Sequence, residues 1–188
     1  MEKKIIIIMS SARKNSNTNF LAETAANEAI KLGAVVRKFY LPDLNIRHCD
    51  ACEFCKSNNK KYCKHNDDMN LIYPHLLSCD GIILASPIYW FSVSGRMKVF
   101  LDRTYALGKH DNWDALRGKK ALLIMAYADP DPLESGVTNA FRMFQDAFAF
   151  LGVEIMGCIH SSCSSAGSIK KNLLIVKKTK ELTKRLIT

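Results

Sequence analysis

Five apolar residues in a row, Ile5-Ile6-Ile7-Ile8-Met9, are followed at once by the polar stretch Ser10-Ser11-Ala12-Arg13-Lys14-Asn15-Ser16-Asn17-Thr18. Four of the five are β-branched and no polar residue interrupts them, which specifies a strand buried on both faces, as in a parallel sheet covered by helices. Beyond the polar stretch, Leu21, Ala25, Ala29 and Leu32 fall on one face of a helix. A buried strand that runs through a polar loop into a helix N-terminus makes an anion site. The first-turn N–H groups have no intrahelical partner, and the helix dipole favours negative charge there. The loop contains no glycine, so neither the dinucleotide fingerprint nor the P-loop is present. Ser10, Ser16, Asn17 and Thr18 offer side-chain hydrogen bonds and Arg13 a charge, a set suited to one terminal phosphate. An ordinary N-capped helix, with Ser16 or Asn17 as the cap, would use the same residues.

Strand and helix patterns alternate through the rest of the chain, the signature of an α/β sheet. Residues 34–41, 81–85, 119–127 and 153–159 read as further strands. Between them, Leu71, Ile72, Leu76 and Leu77 stripe one helix, with Asp67 or Asp68 as its cap. Val93, Met97, Phe100 and Leu101 stripe the next, and Val137, Phe141, Phe144, Phe148 and Leu151 the one after, which Gly152 stops. Five strands with intervening helices predict a flavodoxin-like, doubly wound five-stranded parallel sheet of order 2-1-3-4-5, with helices on both faces. Its ligands should lie beside the first strand, at the carboxyl ends of the strands. The 188 residues are expected to form one domain, 1–188, with a cysteine-rich insertion at about 42–66.

The formal net charge of +9 raises the question of nucleic acid, but no basic patch interleaved with aromatics and no reading motif accompanies it. Lys170, Lys171, Lys177, Lys178, Lys180, Lys184 and Arg185 fall on the final helix, whose other side carries Ile169, Leu173, Val176, Leu182 and Leu186; this is the pattern of a solvated outer face. No apolar run reaches the length of a membrane span, and the amino-terminal run is too short for a signal peptide. The expectation is a cytoplasmic protein with neither membrane nor nucleic-acid partners. Seven cysteines, an odd number, then point to metal or redox use in place of a disulfide framework.

Four of those cysteines, Cys49, Cys52, Cys55 and Cys63, are spaced C-x₂-C-x₂-C-x₇-C inside the insertion, which exceeds the ~12–15 residues above which structureless loops become uncommon. Two successive x₂ gaps bring three thiolates toward one point, the spacing of iron–sulfur ligation, so all four could hold one [4Fe–4S] cluster. Lys56, Lys60, Lys61 and Lys64 would offset its negative charge. Zinc with His48 or His65 nearby, a Cys-x-x-Cys redox pair, and a reduced loop with no metal are the other readings of the same residues. Cys79 reads as a small core residue, and Cys158 and Cys163 have no spacing that recruits them.

The segment Ser86-Pro87-Ile88-Tyr89-Trp90-Phe91-Ser92-Val93-Ser94-Gly95 follows the third strand. Aromatics at the carboxyl end of a central strand give an apolar wall for a flat ring system, with Tyr89 and Trp90 able to pack on it or present polar hydrogens. Tyr127-Ala128-Asp129-Pro130-Asp131-Pro132 lies on the same rim. A phosphate loop and an aromatic wall at one sheet edge together describe a site for flavin mononucleotide, FMN.

With these loops in view, the chain resembles the NADPH-dependent FMN reductase-like flavoproteins, in particular their iron–sulfur flavoprotein branch. The resemblance rests on Ser10-Ser11-Ala12-Arg13 with Ser16-Asn17-Thr18, on the cysteine run ending in Asp67-Asp68-Met69, on Pro87-Ile88-Tyr89-Trp90, and on Ser94-Gly95 with Lys98 and Phe100-Leu101-Asp102-Arg103. It implies phosphate contacts from Ser10, Arg13, Ser16, Asn17 and Thr18 and ring contacts from Pro87, Ile88, Tyr89 and Trp90. It also implies a homodimer or homotetramer with the flavin near a subunit interface. The expected function is an NAD(P)H oxidoreductase, with NADH or NADPH as co-substrate. Electrons would pass through FMN to a quinone, a nitro or azo compound, a protein acceptor or the cluster, without a catalytic side chain. A flavodoxin-type or iron–sulfur carrier with no small-molecule substrate is the first alternative, although such carriers are usually acidic. A zinc-binding or redox-sensing module is the second.

Overall fold

The isoleucine run divides its side chains between two cores. In the computed structural model, which describes residues 2–58, 61–108 and 112–188, β1 (Lys4–Met9) sends Ile6 and Ile8 to one face and Ile5, Ile7 and Met9 to the other. The four isoleucines are 0–2 % exposed, the outcome expected when successive side chains alternate across a sheet covered on both sides. The elements that follow are α1 (Asn17–Lys31), β2 (Val35–Tyr40), the short α2 (Phe54–Ser57), α3 (Met69–Ser78), β3 (Gly81–Tyr89) and the two-residue β4 (Ser92–Val93). Then come α4 (Gly95–Thr104), β5 (Lys120–Tyr127), α5 (Val137–Leu151), β6 (Glu154–Ser162) and α6 (Leu173–Ile187).

The long strands run parallel in the order β2-β1-β3-β5-β6, which is the 2-1-3-4-5 order with β5 and β6 as the fourth and fifth parallel strands. α1 and α6 cover the face of Ile5 and Ile7, while α3, α4 and α5 cover that of Ile6 and Ile8. Among the described residues no helix is long and apolar enough to cross a membrane.

Several local expectations are corrected. β3 does not stop at Ala85 but continues to Tyr89 and turns back into β4, a sixth strand that pairs antiparallel with it. β1 ends opposite Ala85 and β4 pairs only from Ile88, so Pro87 falls where β3 has β5 alone as a strand neighbour, a place where proline is tolerated. Lys170, Lys171 and Ile169 belong to a 3₁₀ turn, Ser168–Lys171, and α6 begins only after it. Asn172 caps α6 by accepting the Ile175 N–H, and Leu173 is 76 % exposed on its first turn. Leu32 follows the last turn of α1 and Leu71 points outward from α3, so both are exposed in spite of the helical spacing. Asp68 occupies the cap position of α3 without a capping bond, and its carboxylate accepts the Asn45 N–H at 2.7 Å.

Candidate functional site

At the carboxyl end of β1 the chain enters α1 through a loop held by its own polar groups. Ser16 caps the helix, its Oγ accepting the Asn19 N–H at 3.1 Å and lying 3.3 Å from Thr18 Oγ1. The Arg13 carbonyl accepts the Ser16 N–H at 3.0 Å and the Asn19 side-chain amide at 3.2 Å. The first i→i−4 helical bond is the one from Phe20 N–H to the Ser16 carbonyl, so the N–H groups of Asn17 and Thr18 precede it and are available to an anion.

A cleft of about 280 Å³ opens over this turn. One side is made by Ser11, Arg13, Ser16, Asn17 and Thr18, the opposite side by Pro87, Ile88 and Tyr89 at the end of β3. Tyr127 and its neighbours close it from the end of β5. The loops after β1, β3 and β5 therefore meet at the strand-order reversal, as the sheet topology requires. The fourth wall, Cys163 to Ala166 after β6, was not anticipated from the sequence. Its signal is the run of small polar residues Ser161-Ser162-Cys163-Ser164-Ser165 at the carboxyl end of the edge strand β6, and it carries no recognisable motif.

Two expected residues lie off the cleft. Ser10 is 1 % exposed, donating to the Ala85 carbonyl at 3.3 Å and accepting from Ser94 Oγ at 2.8 Å. Trp90 stands 93 % exposed at the tip of the β3–β4 turn, because β3 runs on to Tyr89 before reversing. Asn17 lines the cleft but spends its amide elsewhere: Nδ2 donates to the Ser165 carbonyl at 2.9 Å and Oδ1 accepts the Ile169 N–H at 3.1 Å. Its side chain ties the fourth wall to α1.

Ser94 links the two ends of the cleft. It caps α4 by accepting the Met97 N–H at 3.3 Å, donates to Ser10, and gives its own N–H to Ser86 Oγ at 3.0 Å. Ser94→Ala should cost about 1–2 kcal/mol of stability through the lost cap and the lost hydrogen bond to Ser10 Oγ. A urea midpoint that did not move would contradict this. On the far wall, Tyr127 OH lies 2.9 Å from His160 Nδ1 with the rings stacked. Burial first, and the Lys178 charge second, hold His160 below its ordinary range, so a neutral imidazole backs this wall.

The cysteine insertion forms a separate site. Cys49 and Cys52 are exposed, Cys55 and Cys63 half-buried, and all four line one small pocket of about 20 Å³ together with His65 and Arg103. Burial pushes the Cys55 thiol up, with Glu53 and Cys63 adding to it. Among the described residues no group of three or more His, Cys, Asp or Glu is gathered tightly enough to hold a single metal ion. His65 Nε2 sits 3.2 Å from Asp50 Oδ2 but misaligned, so that it is buried without a hydrogen-bond partner. Of the expected counter-charges, Lys64 pairs with Asp50 at 2.8 Å. Lys56 lies over the Trp113 ring at 4.0 Å and donates to the Gly108 carbonyl. Lys60 falls outside the described residues. Cys79 is buried, as expected of a small core residue.

The sequence model of the family described as NADPH-dependent FMN reductase matches residues 3–159. The chain belongs to the NADPH-dependent FMN reductase family. It is accordingly an NAD(P)H-dependent oxidoreductase, and the matched segment contains the cleft loops after β1, β3 and β5 and the whole cysteine insertion, while the fourth wall at Cys163 to Ala166 lies beyond it. An iron–sulfur flavoprotein of Methanocaldococcus jannaschii is 31% identical over 140 residues, 74% of this chain and 68% of that protein. An iron–sulfur flavoprotein of Archaeoglobus fulgidus is 31% identical over 125 residues, but the match spans only 54% of its length. Among solved structures, the Trp repressor binding protein from Bacillus subtilis superposes with a TM-score of 0.71 at 25% identity, covering 96% of this chain and 99% of that one. For an FMN-dependent NADH-azoreductase of Bacillus anthracis in complex with FMN the TM-score is 0.68 at 15% identity with both chains fully covered, a likeness of fold.

The donor set of the cleft fits the family's cofactor. The Arg13 guanidinium, the Ser16 and Thr18 hydroxyls and two first-turn N–H groups suit a phosphate at one end. Pro87, Ile88 and Tyr127 give the other end the apolar surface a flavin ring needs.

Proposed function

We propose that this chain holds one FMN across the carboxyl ends of β1, β3 and β5, with its phosphate at the N-terminus of α1. With it the chain carries electrons from NADH or NADPH to an acceptor of the quinone, nitro or azo class. The observation that carries the proposal is the convergence of an anion-binding helix terminus and an apolar wall on a single cleft at the strand-order reversal. FMN supplies the hydride chemistry when bound. Arg13 and the N–H groups of Asn17 and Thr18 bind and orient the phosphate; Pro87, Ile88 and Tyr89 exclude water from one edge of the ring; Tyr127, backed by neutral His160, bounds the other.

The half-exposed aromatic cleft on α4 and α5, lined by Leu101, Tyr105, Trp113 and Phe150, supports assembly as a homodimer or homotetramer, which sedimentation will report. The convergence of four cysteines on one pocket favours a second reading of the insertion, in which their thiolates hold a [4Fe–4S] cluster that exchanges electrons with the flavin.

Arg13→Ala should weaken FMN binding about 10- to 100-fold, the worth of one charge-assisted hydrogen bond, and leave riboflavin binding unchanged. Flavin fluorescence titration measures both. Equal weakening for the two flavins would remove the phosphate from this loop. Addition of NADPH or NADH to the FMN-loaded protein should bleach the flavin band near-completely under anaerobic conditions; a flavin that neither nucleotide bleaches would favour an electron carrier.

A further inference from the structure

Arg103 is the largest fully buried side chain of the protein, and its position is tied to the cysteine insertion. Its guanidinium meets the Asp67 carboxylate in a fork, Nη1 to Oδ2 at 2.6 Å and Nη2 to Oδ1 at 3.0 Å, with both side chains 1–2 % exposed. Nη1 also donates to the Arg47 carbonyl at 2.7 Å, and the Arg47 N–H donates to Asp67 Oδ2 at 3.0 Å. Arg47 stands two residues before Cys49 and Asp67 four after Cys63, so one ion pair grips both ends of the cysteine loop. Tyr73 OH fixes the Arg103 carbonyl at 2.9 Å, and α4, which carries Arg103, starts from the Ser94 cap beside the flavin cleft.

A buried ion pair is a poor way to gain stability, because desolvation consumes most of the attraction and apolar residues of similar volume do as well or better. What the fork provides is direction: two fixed hydrogen-bond vectors that a leucine–methionine contact lacks. Of the five N–H groups of Arg103, the one on Nε is buried without a partner, and Arg103 lines the small pocket shared by all four cysteines. His65 Nε2 on the same lining also makes no hydrogen bond, although it lies 3.2 Å from Asp50 Oδ2.

We propose that the Asp67–Arg103 pair is the positioning device of the cysteine pocket. It closes the loop over residues 48–66, brings the four thiols to one place, and presents the Arg103 Nε–H to the negative charge that thiolate ligation collects there. This rests on the cluster reading of the insertion for its chemical purpose, but the closing of the loop is independent of any metal.

The test uses the FMN-loaded protein and the double variant Asp67→Leu/Arg103→Met, which removes both charges together and leaves no lone buried ion. In metal-free protein, trypsin should cut within residues 47–64 of the variant at least ~10-fold faster than in wild type, because cleavage follows the open population of a segment. FMN affinity and the urea midpoint serve as controls for the remainder of the fold. After anaerobic reconstitution with iron and sulfide, the wild type should retain iron and the variant should lose most of it on desalting, with Arg103→Lys intermediate. Unchanged cleavage of the loop in a folded double variant overturns the proposal, as does an opened loop that retains iron like wild type. If the wild type itself takes up no iron, the cluster reading falls, and the cleavage comparison alone decides the role of the pair.

Discussion

Arg103→Met on its own should lower the unfolding free energy by about 3–5 kcal/mol at neutral pH, because it leaves the Asp67 carboxylate buried without its counter-charge. For a chain of this size that is a fall in Tm of roughly 6–20 °C. The pH dependence distinguishes this from a simple loss of packing. In the wild type, burial acts to raise the Asp67 pKa, but the hydrogen bonds from Arg103 and from the Arg47 and Met69 N–H groups, with the Arg103 charge, outweigh it, and the net direction is down. A carboxylate depressed in the folded state contributes stability above its unfolded pKa of about 3.9, and that contribution is lost as pH falls through the lower folded value. In Arg103→Met the Arg103 hydrogen bonds and charge are gone, leaving burial opposed only by the Arg47 and Met69 N–H groups, so the folded-state Asp67 pKa should stand above its wild-type value. The deficit of the variant relative to wild type should therefore shrink as pH falls and Asp67 is protonated, and the two urea-denaturation series should draw together in acid. The double variant with Asp67→Leu should recover most of the loss at pH 7. A double variant as unstable as the single would mean that the fold needs the pair itself, and the lone-charge account would be wrong.

Gly136→Ala is expected to be nearly as damaging, at about 2–5 kcal/mol, and to weaken FMN binding as well. Gly136 has φ +80°, a left-handed conformation that costs an L-residue about 1–2 kcal/mol. An added Cβ would lie 2.3 Å from Phe91 Cα and 2.7 Å from its carbonyl carbon, so the backbone itself must move, which adds about 1–3 kcal/mol. The backbone it meets is already strained: Trp90 and Phe91 have φ +51° and +63°, the positive values of a two-residue hairpin turn that favours Asn and Gly. Gly136, at the start of α5, lets the body of the protein press against that turn and hold it. Displacing the turn moves Tyr89, one residue earlier, on the wall of the cleft. Denaturation and FMN titration of the same preparation provide the check; wild-type values for both would show that the turn is held from elsewhere.

These two sites mark where the one-dimensional pattern stops being informative. The isoleucine run, the strand–helix rhythm and the helix-capping chemistry of Ser16 all act over a few residues, and each appears in the structure close to where it was placed. The cleft is also mostly legible, since Arg13, Ser16, Asn17, Thr18, Pro87, Ile88 and Tyr89 lie together on it. That follows from one rule: in a doubly wound sheet, carboxyl-end loops on either side of the first strand must converge. The rule does not say how far a strand extends, so Trp90 was expected against the ring and stands instead at a hairpin tip. Nor does it say which polar groups are consumed internally, and Ser10 is one of these.

The sequence by itself determined the sheet order, the polar loop that Ser16 turns into α1 and the grouping of four cysteines in one insertion, because periodicity, capping and spacing are properties of neighbouring residues. Only the tertiary structure decided that Arg103, 36 residues beyond Asp67, is buried in a fork with it and spans the mouth of the cysteine loop. It alone also decided that Gly136 buttresses a turn 45 residues earlier. A charged side chain far along the chain has no local pattern that distinguishes a buried partner from a solvated one. Its environment exists only once β3, α3 and α4 have packed, and the hydrogen bonds that give it a role form across that packing.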